Sequence, residues 1–217
     1  MTAPGDAAGN DMEATMTEHL EIEQKFDVST GFTIPDLAAV PGCAAVGEPA
    51  THHLSATYYD TSGNRLAASK ITLRRRTGGT DEGWHLKLPA GQHARREIHA
   101  PLAPGDEAQV PEELASQVAA VTGGLPLAPI AFLHTERTVL TLLHATGRVL
   151  AEVADDVVTA RREGTAGESL RWREVEVEVP EDSADTRLVL EGTAQVLLAA
   201  GAVPAASGSK LARLLGS

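Results

Sequence analysis

Apolar and charged positions alternate with a period of two along much of the chain, and the charged side is sorted by sign. In "HLEIEQKFDV", residues 19–28, Leu20, Ile22, Phe26 and Val28 share one side of a strand, and Glu21, Glu23, Lys25 and Asp27 share the other. The same parity sets Arg74 and Arg76 opposite Leu73 in "ITLRRRT", and His85 and Lys87 opposite Leu86 in "WHLKLP". In "RREIHA" it sets Arg95, Glu97 and His99 opposite Ile98. Glu152 and Asp156 share a parity that Val153 does not, and Glu174, Glu176 and Glu178 oppose Val175, Val177 and Val179. Arg137 is a lone basic residue in an apolar, threonine-rich run.

These runs predict strands at roughly 18–28, 50–60, 69–77, 83–89, 93–100, 130–143, 148–161 and 169–180, joined by turn signals such as "TGGTDEG" and "ATGR". Helical periodicity appears at 111–121, opened by Pro111 and closed by Gly123-Gly124, and at 186–200, opened by Asp185 and closed by Gly201. Shorter helices are predicted near 35–40 and at 209–215. The fold class is α+β, mainly antiparallel β. Residues 1–17 are small, polar and acidic with no lysine or arginine, which predicts a disordered tail ahead of a single domain at 18–217. "LAPGDEAQVP", 102–111, reads as a linker between two halves of one sheet system.

An amphipathic sheet normally turns its charged face to water. Here three glutamates, or two arginines, stand at i and i+2 on one face, where like charges repel unless something of opposite sign lies between them. The sorting points to cations near the carboxylates and anions near the arginines. It suggests a closed barrel with charges lining the interior and helices 111–121 and 186–200 covering the apolar outside.

Composition narrows the ligand. A formal net charge of −12 and 3% aromatic residues argue against a general nucleic-acid or anionic-membrane binder. Yet residues 70–99 carry seven basic side chains against three acidic ones, a local basic site in an acidic body. One cysteine, Cys43, and no basic start followed by an apolar run imply a cytoplasmic protein without a disulfide. "VLLAAGAVPAA", 196–206, is too short and too broken to span a bilayer. The histidines lack zinc-ligand spacing, although His85 and His99 share the parity of the charged interior.

The ordered set Glu21-x-Glu23-x-Lys25, "TYYDT", "TLRRR", "WHLKLP", "RRE", Arg137, "AEVADD", "REVEVEV" and Ser209-Lys210 resembles the CYTH domains, also called triphosphate tunnel metalloenzymes. The resemblance spans nearly the whole chain after the tail. No histidine-rich helical domain follows, so a stand-alone module is expected. The resemblance implies a closed eight-stranded tunnel that binds triphosphate compounds with Mg²⁺ or Mn²⁺. Family activities include inorganic triphosphatase, thiamine triphosphatase and class IV adenylate cyclase.

On that reading Arg74, Arg76, Arg95 and Arg137 grip phosphate through planar guanidinium forks, with Lys87 and Lys210 adding point charges. Glu21, Glu23, Glu152, Asp156, Glu174 and Glu176 are the metal candidates, since hard oxygen ligands suit Mg²⁺ or Mn²⁺. Glu178 is expected to lie too far along, and Asp156 is preferred to Asp155 by its parity with Glu152. Glu23 and Lys25 are the catalytic candidates. A lysine among glutamates keeps its proton, so Lys25 is expected to orient water rather than act as a base. The leading expectation is a metal-dependent hydrolase of inorganic triphosphate or a related compound. The alternatives are an adenylate cyclase and a non-catalytic polyphosphate-binding module. The sequence carries no signal for oligomeric state.

Overall fold

The computed structural model describes residues 16–91, 94–102, 109–165 and 167–216. Among them the strands are β1 (Thr17–Val28), β2 (Ala45–Val46), β3 (Ala50–Asp60), β4 (Thr72–Thr77), β5 (Gly83–Pro89), β6 (Ala94–Ala100), β7 (Ala128–Leu143), β8 (Val149–Arg162), β9 (Leu170–Val179) and β10 (Val203–Pro204). The helices are α1 (Arg65–Ala68), α2 (Glu112–Gln117), α3 (Ala119–Thr122), α4 (Ala184–Ala199) and α5 (Lys210–Leu215), with one 3-10 turn at Leu37–Ala39.

The sheet runs β1-β6-β5-β4-β3-β7-β8-β9, and β9 returns to β1, so eight antiparallel strands close a barrel. Closure depends on a splayed β1, whose residues 17–22 pair with β6 while residues 22–28 pair with β9. The short β10 and β2 attach to β1 and β7.

The period-two pattern decides which side of this wall is oily. On the outside, Val189, Leu190, Ala194 and Leu197 of α4 cover Val153, Val175, Val177 and Val179. Leu114 of α2 and Val118 join Leu73, Trp84, Leu86 and Ile98 on the opposite flank. Each fully buried leucine or valine contributes about 1.5–3 kcal/mol relative to exposure, so the outer layers carry most of the apolar stabilisation.

The interior departs from the expectation at one end. Tyr58, Leu133, Val158 and Trp172 point inward with the parity of the charged residues and pack against Leu211 and Leu214 of α5. Part of that end is therefore an apolar plug, built where α5 brings its own leucines to the wall.

Smaller differences have local causes. The helix predicted at 111–121 is two short ones, interrupted at Val118 with φ −111° and ψ 5°. The strand predicted from 69 begins at Thr72, because Ser69 caps α1 and Lys70 takes a left-handed φ of 59°. α4 starts at Ala184, ahead of the predicted 186, because Ser183 and Thr186 form a reciprocal capping box. The sequence pattern missed α1, which is organised by buried Asp60: its carboxylate accepts from the amides of Leu66 and Ala67, both at 2.9 Å. Of the predicted tail, residues 1–15 lie outside the described residues, whereas Thr17 belongs to β1. Most of the predicted linker, 103–108, also lies outside them. No helix among the described residues is long and apolar enough to cross a membrane.

Candidate active site

The barrel encloses a chamber of about 290 Å³ lined by charged side chains from β1, β4, β5, β6, β7 and β9. Strand register builds it. Glu21 stands opposite Arg95, Lys25 opposite Glu176, and Glu23 opposite Glu178. On the facing wall Arg74 stands opposite both Tyr58 and His85, and Lys87 opposite Glu97. Alternation of one residue in, one residue out delivers every one of these side chains to the same space.

The chamber is an interlocked set of ion pairs. Lys25 bridges Glu23, at 2.5 Å, and Glu176, while Lys87 pairs with Glu21 and lies 3.5 Å from Glu97. Arg137 grips Asp156 through Nε at 2.8 Å and Nη2 at 2.6 Å, and its Nη2 also reaches Glu176 at 2.5 Å. Lys210, delivered by α5, places Nζ 2.8 Å from Asp156, from Glu174 and from Glu176. Burial works against each of these cations, but the Asp156 and Glu176 carboxylates hold Arg137 and Lys210 well above their ordinary values. Burial likewise opposes Lys25, which Glu176 and Glu23 raise in the same way. Lys25 is thus locked as an ammonium.

Two groups sit in less balanced fields. Burial, together with Arg74 and Arg137, pushes the Arg76 guanidinium down to about 9, although it pairs with the exposed Asp81 carboxylate. Burial and then the Glu21 carboxylate push Glu178 up to about 7. The Oε2 of Glu21 and the Nε atoms of Arg74 and Arg76 are buried without a hydrogen-bond partner. Orphaned donors on one wall and an orphaned acceptor on another fit a site built for an anion and a cation together.

The structure brings the candidate residues of the sequence reading together unevenly. Glu21, Glu23, Lys25, Arg74, Arg76, Lys87, Arg95, Arg137, Glu176 and Lys210 all line the chamber. Asp156, Glu174 and Glu176 carry carboxylate oxygens within 4.8 Å of one another, a group able to hold a metal ion. The Lys210 ammonium already lies against all three. Asp155 points outward and pairs with Arg173, in line with the parity argument for Asp156. Glu152 stands opposite Glu178 in register but is exposed and does not line the chamber. Glu178, expected to fall beyond the site, does line it, because the β1–β9 register sets it against Glu23.

Sequence reasoning gave no role to Tyr58 and none to Glu97 as a partner of His85. The His85 ring nitrogen Nδ1 lies 2.6 Å from Glu97 Oε1 deep in the wall, and burial keeps the ring unprotonated, pushing it down to about 3. The parity of His85 and Glu97 was the available signal, since both share a face with Lys87 and Arg95.

An antiparallel barrel whose interior pairs guanidinium groups with carboxylates defines a class of tunnel proteins. The family model for the CYTH domain matches residues 19–215, and the chain belongs to that family, the triphosphate tunnel metalloenzymes. The uncharacterized proteins MT2285 and Rv2226 of Mycobacterium tuberculosis are each 44% identical over 210 residues, covering 92% of this chain and 40% of theirs. The chain thus spans two fifths of the length of these curated relatives. Among solved structures, a Bacillus halodurans protein named as a candidate adenylate cyclase matches with a TM-score of 0.55 at 15% identity, covering 90% of this chain and 97% of that one. The PH1819 protein of Pyrococcus horikoshii matches at 0.53 and 14% identity, covering 90% and 98%. At those identities the likeness concerns the fold.

Proposed function

We propose that the chain is a divalent-metal-dependent hydrolase of inorganic triphosphate or a related triphosphate compound, breaking a phosphoanhydride bond inside the charged chamber. The observation that supports this best is the placement of Arg74 and Arg76 on one wall and Glu21, Glu23 and Glu176 on another wall of the same small space. Guanidinium groups bind phosphate oxygens; carboxylates repel them and are useful there only through a cation. A receptor for polyphosphate alone would do better without them.

The donors suit Mg²⁺ or Mn²⁺, which take oxygen ligands and keep waters. Glu21, with its orphaned Oε2, Glu23 and Glu176 offer oxygens directly to the chamber, and Glu178 joins them. Asp156 and Glu174 sit behind Lys210 and set its position and that of Arg137. A metal held there would supply positive charge against the transferring phosphoryl group and would polarise the attacking water. Arg74, Arg76, Arg95, Arg137 and Lys87 hold the phosphates in line. Lys25, kept charged by Glu23 and Glu176, orients the water. The water oxygen bonds to the terminal phosphorus, the bridging P–O bond breaks with its electrons passing to the leaving diphosphate, and the water's protons pass to the products and solvent.

A small-molecule substrate, with neither nucleic acid nor membrane as partner, and a cytoplasmic setting go with the net charge of −12 and the single Cys43. The test is release of phosphate and of cyclic AMP from inorganic triphosphate, ATP, thiamine triphosphate and long polyphosphate, with Mg²⁺, with Mn²⁺ and with chelator. Metal-dependent phosphate release supports the hydrolase. Cyclic AMP from ATP would favour the cyclase, and polyphosphate binding with no turnover would favour a receptor.

A further inference from the structure

The turn between β4 and β5, "TGGTDEG", 77–83, places Asp81 among the residues that line the chamber. Gly78 and Gly79 take left-handed φ values of 81° and 86°, which bring the chain back on itself. Residues 79–82 are exposed and add no apolar side chain to the core, so polar contacts hold the turn. Glu82 accepts from the Gly78 amide at 2.6 Å, and the Asp81 carboxylate pairs with Arg76.

The grip on Arg76 is only half made. A guanidinium takes an oxyanion bidentately through Nε and Nη2 or through Nη1 and Nη2, so Nη2 belongs to both forks. Asp81 occupies that nitrogen twice, through its carboxylate Oδ2 and, at 3.4 Å, through its main-chain carbonyl. Arg76 Nε is left buried without a partner. The Arg76 side chain is 6% exposed and that of Asp81 is 57% exposed, so a desolvated cation is met by a carboxylate that water also solvates. The other tie on Asp81 is weaker still. Its carbonyl lies 3.0 Å from His85 Nε2, but the neutral ring has one N–H, and Glu97, a charged acceptor 2.6 Å from Nδ1, takes it.

We propose that Asp81 is a built-in competitor for the phosphate position on Arg76, and that an arriving triphosphate displaces it, completing the fork of Nε and Nη2 and releasing the turn. The inference rests on the triphosphate reading of the chamber and adds a control on the affinity of that site. A phosphate group offers two oxygens to the fork, where the Asp81 carboxylate engages one nitrogen. Asp81 therefore balances Arg76 before the ligand arrives and weakens the binding of any anion that needs this guanidinium.

The test compares wild type with Asp81→Asn, which keeps the main-chain carbonyl and the side-chain shape but removes the charge. Affinity for inorganic triphosphate is measured by titration calorimetry in chelator, and the wild-type complex is crystallised under the same conditions. The variant should bind about fivefold more tightly than wild type, the size set by loss of one partly exposed competing ion pair. That gain should vanish when both proteins also carry Arg76→Gln. In the complex, phosphate oxygens should lie on Nε and Nη2 of Arg76, with the Asp81 carboxylate moved away. Equal or weaker binding by Asp81→Asn, a gain that survives Arg76→Gln, or an Asp81 carboxylate still on Nη2 in the complex would overturn the inference and leave the triphosphate reading in place. Failure of both wild type and Asp81→Asn to bind triphosphate would overturn the two together.

Discussion

The Nζ of Lys210 lies 2.8 Å from Oδ2 of Asp156, and through this contact α5 is tied to the barrel interior. The same ammonium meets Glu174 and Glu176, so one side chain neutralises three carboxylates that the β8–β9 register forces together. Removing it leaves buried charge uncompensated. Lys210→Met should lower stability by about 3–5 kcal/mol in chemical denaturation, and added Mg²⁺ should recover more stability in the variant than in wild type. Equal midpoints for the two proteins in chelator would show that Lys210 contributes nothing to holding α5 on the barrel.

Adjacent aspartates on β8 should behave in opposite ways. Asp156 faces inward against Arg137 and Lys210, whereas Asp155 faces outward against Arg173. Asp156→Asn should lose most triphosphate turnover, because Arg137 and Lys210 lose the charge that positions them. Asp155→Asn should keep turnover and cost about 1 kcal/mol or less, as for other partly exposed ion pairs. Turnover lost in the Asp155 variant and kept in the Asp156 variant would reverse the assignment of faces.

Arg74 offers a guanidinium fork whose Nε has no partner. Arg74→Ala should reduce kcat/KM on triphosphate by about a hundredfold or more, in the range seen when one preorganised donor to a developing charge is removed. Arg74→Lys keeps the charge without the fork and should recover only part of that loss. Full recovery by lysine would mean that charge alone is used at this position.

Glu178 predicts a pH dependence of stability. Its carboxyl is raised from 4.5 to about 7, so the folded state favours the protonated form. The stability tied to this group is fully present below about pH 4.5 and is lost as pH rises through about 7, with an upper size of about 3 kcal/mol. Glu178→Gln should flatten this part of the melting profile and be the more stable protein at pH 8. Parallel profiles for the two proteins between pH 5 and 8 would contradict the crowding of Glu178 with Glu21 and Glu23.

Most of the charged interior was legible from parity alone. Once Ile22, Phe26 and Val28 are placed in the apolar layer under α4, Glu21, Glu23 and Lys25 have nowhere to point but inward. The same logic set Asp156 apart from Asp155. What parity cannot supply is register between strands. That is why Glu178 was expected to miss the site and Glu152 to reach it, when the β1–β9 and β8–β9 pairings set Glu178 against both Glu23 and Glu152, and only Glu178 lines the chamber. Nor does parity reveal contacts made across long stretches of chain. The apolar plug joins Tyr58 and Leu133 to Leu214 of the last helix. α1 went unseen because its organiser, Asp60, is a single buried carboxylate with no periodic signal around it.

The central claim is that the facing carboxylates and guanidinium groups of the chamber form one metal-dependent catalytic site. It is tested most directly by phosphate release from triphosphate by wild type and by Glu23→Gln, each in Mg²⁺ and in chelator, with folding of both checked by thermal melting. The account predicts rapid release by wild type in Mg²⁺, none in chelator, and a loss of about a hundredfold or more in the variant despite a retained fold. Release that persists in chelator, or that the Glu23→Gln variant matches in Mg²⁺, would contradict it.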